Sequence, residues 1–422
     1  VRLPLAVVLT SASLVAAPLA AVPTASAGPA PAERRAETPS IARSGWDAAA
    51  DLRKGRARGL TVRAGRLVLE GMPTKRSLAG TAYDAGTWTS PWTTPGFGFT
   101  ELIASWDATT PGNSWIEVKV RGKAADGGRS SWDVLGRWTS GDRFLKRTSV
   151  PRQDDDLARV NVDTWATASA DGLASYQLRV SLLRRSGAST KSPSLDGVGA
   201  VATRLPATTA VTASKPGVAR GVVLDVPRYS QMVHEGHSPQ WGGGGEAWCS
   251  PTSTSMVLGY YDALPQPSAY SWVPQRHVDP WVDHAARATY DHAYDGTGNW
   301  PFNTAYAAPL AGHAFVTRLA SLRQAEKLIK AGIPVVASIS FAAGGLDGAP
   351  ISSTNGHLLV IVGFTEEGDV VVNDPAAPTA ATVRRTYERG QFEQAWLPTS
   401  GGLAYVIRDD EHPLPKGGRG SW

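Results

Sequence analysis

One cysteine, Cys249, stands in 422 residues. The chain therefore has no intramolecular disulfide, and no Cys-x-x-Cys pair to hold zinc or exchange thiols. It also lacks a His-Glu-x-x-His helix, a Walker motif, a dinucleotide fingerprint between strand and helix, and any dense basic run, so metallopeptidase, nucleotide and nucleic-acid chemistry lose their usual signatures. No uninterrupted apolar stretch nears the roughly 20 residues of a bilayer-spanning helix, because Pro18 and Pro23 break the one candidate. The expectation is a protein without metal, cofactor, nucleic-acid partner or stable membrane anchor.

An Ala/Leu/Val-rich run behind Arg2 ends in the small-residue site Ala25-Ser26-Ala27. It reads as a secretory signal peptide over 1–27, which predicts a secreted, extracellular protein. Oxidising compartments favour paired cysteines, so a lone thiol there is either a buried bystander or is kept for its reactivity. Residues 28–40 are Pro/Ala-rich and charged, a disordered leader. The length that remains exceeds what one hydrophobic core usually serves, and two domains are expected.

Over 41–204, short segments of period-two alternation such as SWIEVKVRGK and SYQLRVSLLRR, broken by Gly, Pro, Asn and Asp, predict an all-β sandwich, jelly-roll-like. A Thr/Ala/Pro linker occupies 205–221. Over 222–408 the texture changes to α+β. GVVLDVPRYSQ, IPVVASIS, HLLVIVGF and DVVVND read as strands, and PTSTSMVLGYYDAL and SLRQAEKLIKAG as helices, with 409–422 a tail. Charge divides along the same line: residues 28–212 carry 26 Lys+Arg against 18 Asp+Glu, and 221–422 carry 13 against 19. The mild overall basicity hides two modules of opposite sign.

Cys249 precedes Pro251, and proline suits the first turn of a helix. Met256, Val257, Tyr260 and Tyr261 then give that helix one apolar face. A thiol at a helix N-terminus meets unpaired N–H groups and the positive end of the backbone dipole, which favour the thiolate. The glycine run 242–245 lets backbone approach a substrate. A thiol nucleophile also needs an imidazole and an acceptor to orient it. His357 begins a strand, 365–368 make a turn, and Asp374 ends the returning strand, so hairpin pairing sets Asp374 within reach of His357 Nδ1–H.

DVPRYSQ, WCSPTSTSMVLGYY, GHLLVIVGF and DVVVNDP, in this order, resemble the papain-fold cysteine peptidases related to the bacteriocin-processing, double-glycine leader peptidases, a C39-like domain over about 222–408. The resemblance implies Cys249 as nucleophile, His357 as general base and acid, Asp374 as the orienting residue, and Gln231, at the end of the first strand, as the amide that joins the Cys249 N–H in the oxyanion hole. It implies a peptide or protein substrate. Ser250 stands where the family commonly has glycine, and the transporter domains of the bacteriocin-processing members are missing.

Rival features are weaker. Gln240 is the alternative oxyanion donor. His234, His237, His277, His284 and His292, with Asp279, Asp283 and Asp291 beside the last three, suggest a solvated rim more than a metal site. A cell-wall amidase or endopeptidase shares the Cys-helix, His-strand plan, but CSPTS lacks the Asp-Cys-Ser start of such enzymes. A third alternative is a glycan-binding or cell-wall-binding protein with an inactive papain-like domain. Trp88, Trp92, Trp106, Trp115, Trp132, Trp138 and Trp165 could stack on sugars, though most tryptophans in sandwiches are core. The basic module could also hold the protein at anionic cell-wall polymers.

Overall fold

The computed structural model describes residues 38–71, 73–207 and 210–422. The expected signal peptide and nearly all of the leader lie outside them. The chain is mostly β, with three antiparallel sheets and few helices. Between residues 40 and 204 two seven-stranded sheets enclose a core. The strand Ser175–Arg185 shows how the sequence does this: Tyr176, Leu178, Val180 and Leu182 are buried without exposure, while on the other face Arg179 is partly exposed and Arg185 exposed, with Gln177, Ser181 and Leu183 covered. The strand period of two thus sends one set of side chains into the core. Of the seven tryptophans considered for sugar stacking, Trp88, Trp106, Trp115, Trp138 and Trp165 are buried. Trp92 and Trp132 alone of that set keep partial exposure.

The third sheet belongs to the C-terminal half. Its strands are β1 (His313–Arg318), β2 (Val335–Phe341), β3 (Thr354–Phe364), β4 (Val370–Asn373), β5 (Arg384–Tyr387) and β6 (Leu403–Arg408), in the spatial order β1-β6-β2-β3-β4-β5. Helices α1 (Cys249–Tyr260), α2 (Pro280–Thr289) and α3 (Trp300–Ala311) precede it, α4 (Leu322–Lys330) follows β1, and α5 (Arg389–Ser400) follows β5.

Two expectations are corrected. The segment 222–230 is extended but not a regular strand. It makes a single bridge, Val223 with Gly363, on the β2 side of β3 beyond the point where β2 begins, and Gln231 opens a 3-10 turn, Gln231–His234. β4 already occupies the other edge of β3, so only the end of β3 is left to pair with it. Asn373 holds the segment instead, donating from its side-chain amide to the carbonyls of Val226 and Pro227 at 3.2 and 2.9 Å. Helix α1 is also not one-sided, since Ser250 to Leu258 are all buried. Some of its hydroxyls have found partners: Ser250 Oγ lies 2.9 Å from Tyr405 Oη, and Ser253 Oγ donates to Leu358 O at 3.1 Å, whereas Thr252 Oγ1 and Ser255 Oγ are buried without one. Buried hydroxyls are tolerated when so satisfied.

The described residues form one compact unit, and the two halves share a core. The Phe302 ring of α3 packs against Trp106 and Trp138 of the sandwich, with centroids 6.1 and 5.4 Å apart. Arg147 buries its guanidinium and donates to Arg287 O at 2.6 Å. Among the described residues two ion pairs cross the junction, Arg287 with Asp142 and Arg318 with Glu101. Each places the cation on the acidic half and the carboxylate on the basic half, so net charge does not draw the halves together. The final residues join in as well: Gly420 O accepts from Arg43 N at 2.7 Å, and Gly418 O from the Gln324 side chain at 2.6 Å. Among the described residues no helix is long and apolar enough to cross a membrane.

Candidate active site

Cys249 is the first residue of α1 and is half-buried. The glycines before it are needed for the approach. Gly242, Gly243 and Gly244 have φ of 71°, 97° and 126°, a region costly to residues with a Cβ. At Gly245 a Cβ would stand 1.9 Å from His234 O, so close packing on the 3-10 turn sets this position. Of this run, Gly242 faces the cleft described below.

His357, on β3, is buried and hydrogen-bonds the Cys249 side chain. Its Nε2 lies 2.7 Å from Asp374 Oδ1. The carboxylate therefore meets Nε2, not the expected Nδ1, which leaves Nδ1 for the thiol. Asp374 follows the last residue of β4 and is buried. It also accepts from Tyr387 Oη at 2.7 Å and from Ala376 N at 3.0 Å. The Ser253 bond to Leu358 O ties α1 to β3 one residue past the imidazole.

Burial works against charge on all three groups, and their mutual interactions outweigh it. Burial would raise the Cys249 thiol, but the hydrogen bond and charge of His357, with the N–H groups of Leu358 and Ser250, hold it below its ordinary value. Burial would lower His357, but Asp374 and Cys249 push it up to about 10. Burial would likewise raise Asp374, and His357, Tyr387 and the Ala376 N–H hold it below the usual carboxylate range. The arrangement favours a thiolate beside an imidazolium.

The Gln231 side-chain amide donates to Glu246 O, three residues before Cys249, and the Gln231 N–H donates to Pro375 O at 2.9 Å. Gln231 thus sits between the approach to the thiol and the turn after Asp374. Gln240 is exposed. The histidines divide differently from the sequence pattern. Asp283, fully buried, lies 3.0 Å from His234 Nδ1 and 3.2 Å from both His277 Nδ1 and His237 Nδ1. His234, His237 and Asp283 carry ligand-type atoms within 4.8 Å of one another. The cluster pins the turn carrying Gln231 to α2. His284 and His292 stand apart, against Tyr306 and Tyr290.

Cys249 opens onto a cleft of ≈ 770 Å³. One wall comes from Tyr294, Gly296 and Trp300 of the 265–315 region and from Gly356 beside His357. The other comes from the sandwich, through Val162 and Asp163 of the turn between Ala158–Asn161 and Thr164–Thr167. Asp163 accepts from Trp300 N at 3.3 Å, and burial pushes its carboxyl up to about 7. Sequence patterns pointed to neither this turn nor Tyr387, because both reach the site only through tertiary packing.

The fold and the site come together with two family matches. Residues 42–203 match the Peptidase C39 N-terminal domain, and residues 223–403 match the Peptidase_C39 like family. They set the chain among peptidase-type hydrolases. More particularly, it carries a C39-like peptidase domain, preceded by the N-terminal domain that accompanies it. No curated protein matches the chain.

Proposed function

We propose that the protein is an exported, papain-like cysteine peptidase working by a Cys-His-Asp mechanism through an acyl-enzyme. The observation that carries this is the continuous line from the Cys249 thiol at a helix N-terminus, through His357, to the doubly anchored Asp374 carboxylate. The Cys249 thiolate attacks the peptide carbonyl carbon, forming a C–S bond and moving the carbonyl electrons onto oxygen. The oxyanion is held by the Cys249 backbone N–H and by the second N–H of the Gln231 amide, whose first is engaged by Glu246 O. As the tetrahedral intermediate collapses, the C–N bond breaks and Nδ1–H of His357 protonates the leaving amine. Neutral His357 then takes a proton from water, which attacks the thioester carbon, and collapse of this second intermediate breaks the C–S bond, releasing the acid and restoring the Cys249 thiolate beside protonated His357. Asp374 keeps the imidazole oriented throughout and favours its protonated form.

Export follows from the segment ending at Ala25-Ser26-Ala27. The test is digestion of a peptide library by the purified chain and by Cys249→Ala. Cuts made by the wild type and abolished in the folded variant support the proposal, and cuts retained by the variant overturn it.

A further inference from the structure

We propose that the outer face of the sandwich sheet containing Ser175–Arg185 is a binding site for a polyanionic, non-aromatic polymer, a polyol-phosphate chain. This site is separate from the cleft at Cys249 and does not rest on the peptidase mechanism.

The face is built by register. Arg56 pairs with Thr89, Thr89 with Arg179, and Arg179 with Lys119, so one row across four neighbouring strands reads Arg-Thr-Arg-Lys. Arg58 lies two residues along from Arg56, and Arg121 two along from Lys119, opposite Gln177. Arg56, Arg58, Arg121 and Arg179 line a groove of ≈ 570 Å³ together with Lys54 and Trp92, and every residue of its lining belongs to the sandwich.

Two features set this groove apart from an ordinary solvated surface. The first is missing neutralisation. Glu117 is already bound by Arg76, Lys119 and Arg137 at 3.1, 3.4 and 3.2 Å, and Asp51 by Lys54 at 2.6 Å. Among the described residues, Arg56, Arg58, Arg121, Arg129 and Arg179 have no carboxylate within ion-pair distance. Burial, and after it the charges of their arginine neighbours, lower both Arg121 and Arg179 from the ordinary guanidinium value. Such crowding is unfavourable until an anion arrives.

The second is preorganisation. The Arg121 guanidinium lies 4.6 Å from the Trp132 ring centre and 5.1 Å from that of Trp92, Arg179 lies 4.0 Å from Trp132, and Arg129 lies 5.7 Å from Trp92. Gln177 Oε1 accepts two N–H groups of Arg121, at 3.0 and 2.6 Å, and its own amide donates to Ser90 O at 2.8 Å. Arg179 Nε donates to Thr89 Oγ1 at 3.2 Å. Stacking holds the planes, and the remaining N–H edges stay free for bidentate contact with phosphate oxygens.

The same geometry selects the ligand. Cations about 7 Å apart along a strand, as Arg56 is from Arg58, and about 5 to 10 Å apart across strands suit a chain with one charge per repeat better than a lone anion. Guanidinium groups cover faces of Trp92 and Trp132 that a single-stranded nucleic acid would need for base stacking. The junction between the halves does not use this charge, since both of its ion pairs run the other way.

The test is binding of the full chain to poly(glycerol phosphate), to an oligothymidylate of equal charge and to neutral dextran, across salt concentrations. Arg121→Gln/Arg179→Gln should weaken poly(glycerol phosphate) binding at least tenfold and lower the slope of log Kd against log salt by about two. The charge-matched Arg159→Gln/Arg185→Gln, outside the groove, should change it less than threefold. Arg121→Lys/Arg179→Lys keeps the charge without the planar fork and should remain at least threefold weaker than wild type. Unfolding curves identify any variant that has lost its fold, and the Lys pair then decides. Absence of binding to poly(glycerol phosphate) at low salt would overturn the proposal, as would equal weakening by the two Gln pairs or oligothymidylate binding as tightly.

Discussion

Replacing Asp374 by Asn removes a charge while nearly keeping a shape, and its effect can be sized from the site. Burial alone would make His357 a poor base, yet Asp374 and Cys249 bring it from 6.5 to about 10. That rise represents on the order of 5 kcal/mol of preference for imidazolium, at about 1.4 kcal/mol per pH unit. Asp374 supplies the largest of the raising contributions. The productive thiolate-imidazolium pair exists between the lowered titration of Cys249 and the raised titration of His357. Wild-type kcat/KM should therefore rise with pH as the thiol ionises and fall as pH passes about 10. In Asp374→Asn the side-chain amide oxygen can still accept the Nε2–H, so the ring keeps its orientation but loses its counter-charge. The alkaline limb should move down by roughly one to two pH units, with kcat/KM near neutrality falling about 10- to 100-fold, a smaller loss than in His357→Ala. The assay is a kcat/KM profile from acid to strongly alkaline pH on one peptide substrate. An alkaline limb that stays in place would refute the assignment of Asp374 as the source of the shift.

Tyr387→Phe removes one of the three donors to Asp374; it should lower kcat/KM by about 3- to 10-fold, and cost about 1–3 kcal/mol in denaturant unfolding. Gln231→Ala should reduce kcat by about 10²- to 10³-fold with a smaller change in KM, whereas Gln240→Ala, at an exposed position, should stay within twofold in the same steady-state assay. Phe302→Ala should destabilise by about 3–5 kcal/mol and separate the melting of the two halves in calorimetry, because its ring joins Trp106 and Trp138 to α3.

The alternation of Tyr176, Leu178, Val180 and Leu182 was legible because a half-buried strand writes its burial every second residue. The His357 to Asp374 hairpin was legible for a similar local reason: a turn of fixed length brings two strand ends together. Helix α3 left no comparable trace. Most of α3 is buried, so it has no polar stripe, and Pro309 lies inside it. The four hydroxyls of 252–255 hid the depth of α1, since those of Ser253 and Thr254 are satisfied only by the distant Leu358 and Asn303, and those of Thr252 and Ser255 are buried without a partner. The ring nitrogen facing Asp374 was assigned wrongly, because strand register fixes which residues meet but not how an imidazole is turned. The opposite charges of the two segments do not say which side chains meet between the halves. The contacts at Asp142 and Glu101 show that individual side chains settled the junction instead.

The most direct test of the central claim uses the fact that Cys249 is the sole thiol. Its alkylation by iodoacetamide, followed by intact mass from pH 5 to 10, reports one site without ambiguity. The account predicts rapid labelling already below neutral pH, with a plateau through neutrality, loss of peptide hydrolysis in step with labelling, and at least tenfold slower labelling at pH 6 in His357→Ala. Labelling that rises only near pH 8.5, as for an ordinary thiol at about that pKa, or that leaves hydrolysis intact, would contradict it.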